Sequence, residues 1–152
     1  MQLFILDPDP REAAKLLSQV CPLRGRKQII ETNQSLSTIL GEQGMEPLTK
    51  KDGSKYSTKT HKHHPVTQWM RDNLDWVLAF QYHLSEIYPD HAASVSFLDF
   101  FKGMRLGYLV LGLDREIKFK YFGSFDAPGV SVFAKYLSYI IAKQKEAKNE
   151  SI

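Results

Sequence analysis

Three histidines lie within four residues of one another in the run Thr60-His61-Lys62-His63-His64-Pro65. Imidazole is the side chain whose ordinary pKa lies closest to neutral, so the cluster suits proton transfer or metal binding. Its spacing matches neither the i,i+4 pair of a helical zinc motif nor a zinc finger. A metal would need a third ligand from Glu31, Asp7 or His91. We therefore expect no metal and no other cofactor, with a metal site as the less favoured alternative, and expect His64 to cap the following helix.

A second candidate site is a polar stripe on the predicted helix 24–40. Its members recur at intervals of three or four residues: Arg24, Lys27, Glu31, Gln34 and Thr38. Glu31 lies four residues after Lys27, so the spacing predicts an ion pair that keeps the carboxylate ionised. A carboxylate fixed among cations can act as a general base or stabilise a cationic intermediate. The alternative is an ordinary exposed ion pair worth a few tenths of a kcal/mol.

The positive charge is concentrated in one part of the chain. The 152 residues include 20 basic and 17 acidic side chains, a net charge of +3. Residues 24–62 contain eight basic and four acidic residues, which gives +4 and leaves the remainder close to neutral. Such a local excess is typical of a face that binds an anion or a nucleic acid. The alternative is a solvated lysine-rich loop.

Composition excludes several classes of protein. The hydrophobic fraction of 43% is too high for a disordered chain, and the length fits a single domain over residues 1–152. One cysteine excludes an internal disulfide framework and a multi-cysteine zinc site. No run of about 18 apolar residues is present, so we expect no membrane partner. The first residues lack the pattern of a signal peptide, which favours a cytoplasmic location.

The first third of the chain predicts an extended segment, two helices and a loop. Apolar residues 3–6 stop at Asp7-Pro8-Asp9-Pro10, as expected of a buried extended segment. Asp9, with Glu12 three residues later, predicts a capping box for a helix over 10–20. Apolar spacing predicts the helix over 24–40, closed by Gly41. Residues 41–62 are polar and basic and are expected to form an exposed loop.

The remainder predicts further helices and one β-hairpin. A long helix should begin at His64-Pro65 and continue to residue 87, with an aromatic stripe that includes Trp69, Trp76 and Phe80 in the core. Residues 95–101 read as a short helical segment. Alternation over 105–122 predicts a hairpin, and residues 130–145 predict a last helix followed by a frayed tail over 146–152. The expected fold is one compact, mainly α domain with a short N-terminal extended segment.

Three motifs, in this order, resemble those of a group of small phage and bacterial proteins. The first is the apolar run ending in Asp7-Pro8-Asp9-Pro10. The second is the helix motif Arg24-Gly25-Arg26-Lys27-Gln28-Ile29-Ile30-Glu31-Thr32-Asn33-Gln34-Ser35-Leu36. The third is Thr60-His61-x-x-His64-Pro65, leading into Trp69-x-Arg71. The resemblance covers about residues 1–88, and the group is distantly similar to the pyrimidine-dimer DNA glycosylases of the phage endonuclease V type.

The resemblance implies a helical domain that binds double-stranded DNA and flips a nucleotide. In that family the N-terminal amine attacks the sugar C1′, and a helix-borne glutamate completes base excision and strand scission. Met1 would supply the amine, Glu31 falls at the place of the glutamate, and His64 at that of a histidine before the third helix. DNA contacts are expected from the neighbouring residues Arg24, Arg26, Lys27, His61, Lys62 and Arg71. The setting would be a bacterial or phage-infected cell.

One departure from the family leaves the activity open. Its enzymes expose a small residue after removal of the initiator methionine, whereas Gln2 follows Met1 here. The chain is therefore either a DNA glycosylase/AP lyase acting through Met1 or a DNA-binding scaffold without that catalysis. A separate alternative is a non-catalytic phage protein that binds a host protein or a nucleotide ligand, with no particular oligomeric state indicated. Such a protein would bind its partner through aromatic side chains of the C-terminal third. The alternative is that a domain of this size needs these side chains in its core: Phe97, Phe100, Phe101, Tyr108, Phe119, Tyr121 and Phe122.

Overall fold

Helices make up most of the computed structural model, which describes the backbone of residues 2–150 and the side chains of residues 2–146. Over this range the helices are α1 (Pro10–Val20), α2 (Pro22–Glu42), α3 (Pro65–Asp72), α4 (Leu74–Ile87), α5 (Ala92–Gly103) and α6 (Val132–Glu150), with a 3-10 helix at Gly107–Leu111. The prediction of a mainly α fold is confirmed. None of the helices in the described range is long and apolar enough to cross a membrane.

The N-terminal segment is extended and buried, as predicted. Residues 3–6 are each at most 6% exposed and belong to the main hydrophobic core. The segment ends where Asp9 caps α1 by accepting hydrogen bonds from the backbone N–H groups of Arg11 and Glu12. The predicted bounds of this helix are confirmed, because Pro10 occupies the first helical position. In the predicted capping box the Glu12 side chain would accept a hydrogen bond from the Asp9 N–H. The Asp9 N–H donates to the Asp7 side chain instead.

Helix α4 lies at the centre of the fold and contacts α1, α2, α3 and α5. Trp76 and Phe80 are fully buried on it and stack with their ring centroids 5.2 Å apart. The aromatic stripe is therefore core, as predicted. The single helix predicted from His64 to residue 87 is wrong, because it breaks at Asn73 into α3 and α4. There the Asn73 side chain donates to the Trp69 carbonyl and the Asn73 N–H donates to the Met70 carbonyl, a local alternative to the helical pattern.

Helix α2 continues past its predicted end. Gly41 does not close it, because the helix runs to Glu42 and the chain turns at Gly44, whose φ is +73°. Gly41 serves a packing purpose instead. A Cβ atom at this position would lie 2.6 Å from the Thr58 side chain. The absence of a side chain thus lets the loop after α2 pack against the end of the helix.

The predicted hairpin over 105–122 is wrong. Its first part forms the 3-10 helix, and residues 112–131 contain no regular element. The alternation that suggested strands is real, since Phe119 is half-buried between two exposed lysines. Side chains, however, supply the hydrogen bonds that a partner strand would make: the Trp69 indole donates to the Lys118 carbonyl at 2.8 Å, and the Tyr136 hydroxyl to the Lys120 carbonyl at 3.1 Å. Helix α6 packs over this segment, with Phe119 and Phe133 centroids 5.2 Å apart.

The loop between α2 and α3 carries most of the lysines of residues 24–62, the basic stretch. They are exposed on it at positions 50, 51, 55, 59 and 62. Leu48, 1% exposed, holds the loop to the core, and an isolated antiparallel bridge joins Thr49 to Lys55. The predicted frayed tail, residues 146–152, lies largely outside the residues whose side chains are described and stays a prediction.

Candidate functional site

A buried glutamine of α2 holds the N-terminal segment in register. Gln28 is 1% exposed and accepts a hydrogen bond from the Phe4 N–H at 3.0 Å. Its amide nitrogen donates to the Gln2 carbonyl at 2.9 Å and to the Thr32 hydroxyl at 3.1 Å. The side chain thus bonds the extended backbone at two residues, as a neighbouring strand would. This fixes which residue of the segment lies beside the next turn of α2.

Glu31 is the residue that this register places next to the start of the chain. Its Oε2 accepts a hydrogen bond from the Gln2 backbone N–H at 3.2 Å. The predicted ion pair with Lys27 is wrong, because among the described residues the Glu31 carboxylate bonds the N-terminal segment instead. The Gln2 side-chain Oε1 is buried and has no hydrogen-bond partner in the described part of the chain. Met1, the proposed nucleophile, lies outside the described residues.

The two motifs singled out in the sequence meet at the next turn of α2. Gln34 lies three residues after Glu31, on the same face, and its Oε1 is 3.2 Å from His61 Nε2. One turn further, the buried Thr38 donates to the Thr60 carbonyl at 2.6 Å. The second half of the polar stripe, Gln34 and Thr38, is therefore the surface on which residues 60–64, the histidine segment, lie. The first half of the stripe includes the exposed Lys27.

His64 caps α3, as predicted, by accepting a hydrogen bond from the Val66 N–H at Nδ1, 3.1 Å away. Its ring lies edge-on to that of His61, with centroids 6.3 Å apart. Burial lowers the pKa of both imidazoles below the ordinary value, and the negative charge of Glu31 opposes this shift. Glu31, His61 and His64 therefore share one site in which both imidazoles favour the neutral form at neutral pH.

The basic residues expected to contact DNA differ in their surroundings. Lys27 and Lys62 are exposed, Arg24 is half-buried, and none of the three forms an ion pair with a described acid. The guanidinium of Arg26 lies 5.6 Å from the centroid of the Tyr88 ring. Arg24, Arg26 and Lys27 lie in the first half of α2, the half of the helix before Glu31, whereas Lys62 lies on the loop before α3, close to Glu42 at the end of α2.

Arg71 has a different surrounding, because its guanidinium is engaged within the protein. It donates to both carboxylate oxygens of Glu42, at 2.7 and 2.8 Å, and to the carbonyl of Lys62. These bonds tie α3 to the end of α2 and to the histidine segment. Its role in DNA contact stays a prediction, whereas its role in holding the segment is evident from the bonds.

A second polar network behind the site was not predicted from the sequence. The Asn33 side chain donates to the Tyr56 hydroxyl and to the Ala93 carbonyl, and its oxygen accepts from Gln81 at 2.9 Å. Asn33 and Gln81 are both fully buried. The signal for them was weak: a lone amide on an apolar helix face. Their bonds join α2, α4 and α5 behind the turn that carries Glu31 and Gln34.

The arrangement combines a carboxylate, two imidazoles and nearby unpaired cations. Such a set can move a proton and stabilise positive charge as it forms on a bound molecule. Among the described side chains no group of three histidine, cysteine, aspartate or glutamate residues is placed to hold a metal ion. His91, one of the third ligands considered, instead caps α5. Comparison with protein-family models, curated proteins and solved structures finds no match to this chain.

Proposed function

We propose that the chain is a DNA-associated protein on a glycosylase-like helical scaffold, with DNA glycosylase/AP lyase activity. The observation that carries this proposal is the hydrogen bond between the Gln2 backbone N–H and the Glu31 carboxylate. In a mature chain that begins at Met1, the α-amine is joined to that nitrogen through the Met1 backbone alone. A nucleophilic amine and a carboxylate then belong to one site, as this chemistry needs.

The chemistry on an abasic site uses each of these groups. The amine adds to the C1′ aldehyde of the open sugar, and loss of water leaves an imine. A base then removes a C2′ proton, the electron pair forms the C2′–C3′ double bond, and the C3′–O bond breaks to release the 3′ phosphate. An α-amine has an ordinary pKa of about 7.7–8.0, so a useful fraction is neutral near pH 7. The Glu31 carboxylate stabilises the protonated imine, and its second oxygen is available as the base.

The surrounding charge suits a polyanionic substrate. Residues 24–62 carry eight basic and four acidic residues, and Arg24, Lys27 and Lys62 have no acidic partner among the described side chains. Each phosphate contact of this kind releases bound counterions from the duplex. We therefore expect binding to double-stranded DNA with strong salt dependence. An apolar interface with a host protein would respond little to salt.

A strand-scission assay tests the proposed activity. We expect the purified protein to cleave abasic or ultraviolet-irradiated duplex DNA, and Glu31→Gln to slow cleavage by about 100-fold or more. Glu12→Gln is the matched control, since Glu12 is exposed on α1 and lies outside the site. Duplex binding without cleavage of either substrate would support the scaffold alternative and contradict the enzymatic proposal.

The salt dependence of duplex affinity tests the DNA contacts separately. We expect Lys27→Gln to weaken binding to all sequences alike and to reduce the slope of log affinity against log salt by about 1. Lys15→Gln is the control, because Lys15 is an exposed lysine on α1, outside the basic stretch. Equal slopes for both variants and the unmodified protein would contradict a DNA contact at Lys27.

A further inference from the structure

The bond between Gln34 and His61 fixes which imidazole nitrogen of His61 carries the proton. His61 Nε2 lies 3.2 Å from Gln34 Oε1. An amide oxygen only accepts hydrogen bonds, so Nε2 must be the donor. A neutral imidazole carries a single proton, which leaves Nδ1 of His61 as an acceptor. No described residue donates to that nitrogen.

In His64, the ring nitrogen that bonds within the protein is Nδ1, and it acts as an acceptor. Its Nδ1 accepts from the Val66 N–H and is therefore unprotonated. In the neutral ring the proton then lies on Nε2, so His64 offers a donor where His61 offers an acceptor. The two rings are 6.3 Å apart and nearly perpendicular. The site beside Glu31 thus contains one imidazole that offers an acceptor nitrogen, His61, and one that offers an N–H donor, His64.

The backbone of the histidine segment is held in an unusual conformation. The φ of His61 is +56°, a left-handed value that a residue with a side chain seldom adopts. Two bonds hold it: the Thr38 hydroxyl donates to the Thr60 carbonyl, and the His64 N–H donates to the His61 carbonyl at 3.1 Å. Residues kept in such conformations by their surroundings cluster at functional sites.

We propose, on the basis of the function proposed above, that His61 Nδ1 is the proton carrier for imine formation and that His64 Nε2–H donates a hydrogen bond to the sugar C1′ oxygen. Gln34 is the positioning residue that sets the tautomer of His61. Glu31 is then free to stabilise the protonated imine.

The step consumes one proton from solvent and needs no other reactant. As the amine nitrogen bonds to C1′, the carbonyl electron pair moves to oxygen, so the nitrogen must lose a proton and the oxygen must gain one. His61 Nδ1 accepts the proton from the nitrogen and passes it to the oxygen, which gives the carbinolamine. His61 then takes one proton from solvent and donates it to the hydroxyl, which leaves as water while the electron pair of the nitrogen forms the protonated imine. Each imidazole ends the step in its starting form.

Long-range ¹H–¹⁵N correlation NMR of the whole protein tests the tautomers directly and requires no activity. We expect both His61 and His64 to show a protonated Nε2 and an unprotonated Nδ1. In Gln34→Leu, the His61 signals should move towards a mixture of tautomers while those of His64 stay unchanged. A protonated Nδ1 on His61 in the unmodified protein, or unchanged His61 signals in the variant, would overturn the assignment.

Single-turnover formation of the borohydride-trapped adduct on abasic duplex tests the proton transfer. His61→Asn is the variant of choice, because asparagine tolerates the left-handed backbone better than other residues with side chains. We expect its rate to fall by about 100-fold or more. His63→Asn, an exposed neighbour outside the site, should keep the unmodified rate.

The outcomes separate this inference from the function on which it rests. An unmodified protein that forms no adduct contradicts the proposed function and, with it, the role of His61. An active protein whose His61→Asn variant stays within about threefold of the unmodified rate contradicts the His61 role alone.

Discussion

Replacing Gln28 with leucine tests whether one buried amide holds the N-terminal segment against α2. Gln28 makes three hydrogen bonds, with the Phe4 N–H, the Gln2 carbonyl and the Thr32 hydroxyl. It is 1% exposed, so solvent cannot replace these bonds in the variant. Leucine has a similar volume, which keeps packing and cavity effects small.

The magnitude follows from the groups left without partners. A buried N–H such as that of Phe4, left without an acceptor, costs about 1–3 kcal/mol, and each of the two other lost bonds costs about 0.5–1.5 kcal/mol. Burial of the leucine side chain in place of the amide returns roughly 1–2 kcal/mol. We expect a net loss of about 2 kcal/mol in the free energy of unfolding, concentrated in the bonds of residues 2 and 4.

Urea unfolding followed by the fluorescence of the two tryptophans measures this loss. Gln19→Leu is the matched control, since Gln19 is exposed on α1 and its variant should stay within about 0.5 kcal/mol of the unmodified protein. Hydrogen exchange gives a local measurement, and the Phe4 amide should exchange faster in Gln28→Leu. A loss as small as that of the control, with unchanged protection of Phe4, would refute the proposed holding role.

Three further predictions follow from individual contacts. Gly41→Ala should lower the free energy of unfolding by about 1–3 kcal/mol. The new Cβ would lie 2.6 Å from the Thr58 side chain, and this steric clash outweighs the gain in helix propensity of about 1 kcal/mol. Gly103→Ala is the control, because a Cβ there would have nothing within 4 Å and should not destabilise the protein. The Arg115 hydrogen bond lowers the pKa of Asp75, so this contribution to stability is present above the ordinary pKa of about 3.9 and is lost as pH falls through the lower folded-state value. Asp75→Asn should remove that acid-side loss in melting temperatures measured against pH. Burial lowers the pKa of His64, so the contribution of its neutral ring to the free energy of unfolding is complete above about pH 6.5 and declines below it. His64→Asn can still cap α3 and should flatten this decline in melting temperatures measured against pH.

Local signals in the sequence were sufficient for the helices that begin with a cap and a proline. Asp9-Pro10 and His64-Pro65 each combine a side-chain acceptor with a residue that needs no N–H donor in the first turn, and both helices begin as predicted. The break at Asn73 was missed because apolar spacing continues through it, and only the bond of its side chain to the preceding turn reveals the break.

Hydrogen bonds between residues far apart in the sequence explain the features that local sequence patterns could not predict. The alternation around Phe119 is that of a strand, but its backbone is bonded by the side chains of Trp69 and Tyr136, which lie far away in sequence. The same holds at the site. Glu31 and the histidine segment were candidates from residue type and spacing, whereas the bond of Glu31 to the N-terminal segment depends on Gln28, whose role only the packed structure reveals.

The position of a covalent adduct on the protein shows whether the α-amine of Met1 is the nucleophile. The protein is incubated with abasic duplex DNA in the presence of borohydride, digested, and mapped by mass spectrometry. We predict a reduced adduct on the α-amine of Met1, formed rapidly by the unmodified protein and about 100-fold more slowly by Glu31→Gln. An adduct confined to lysine side chains, or no adduct in a protein that binds the duplex, would contradict it.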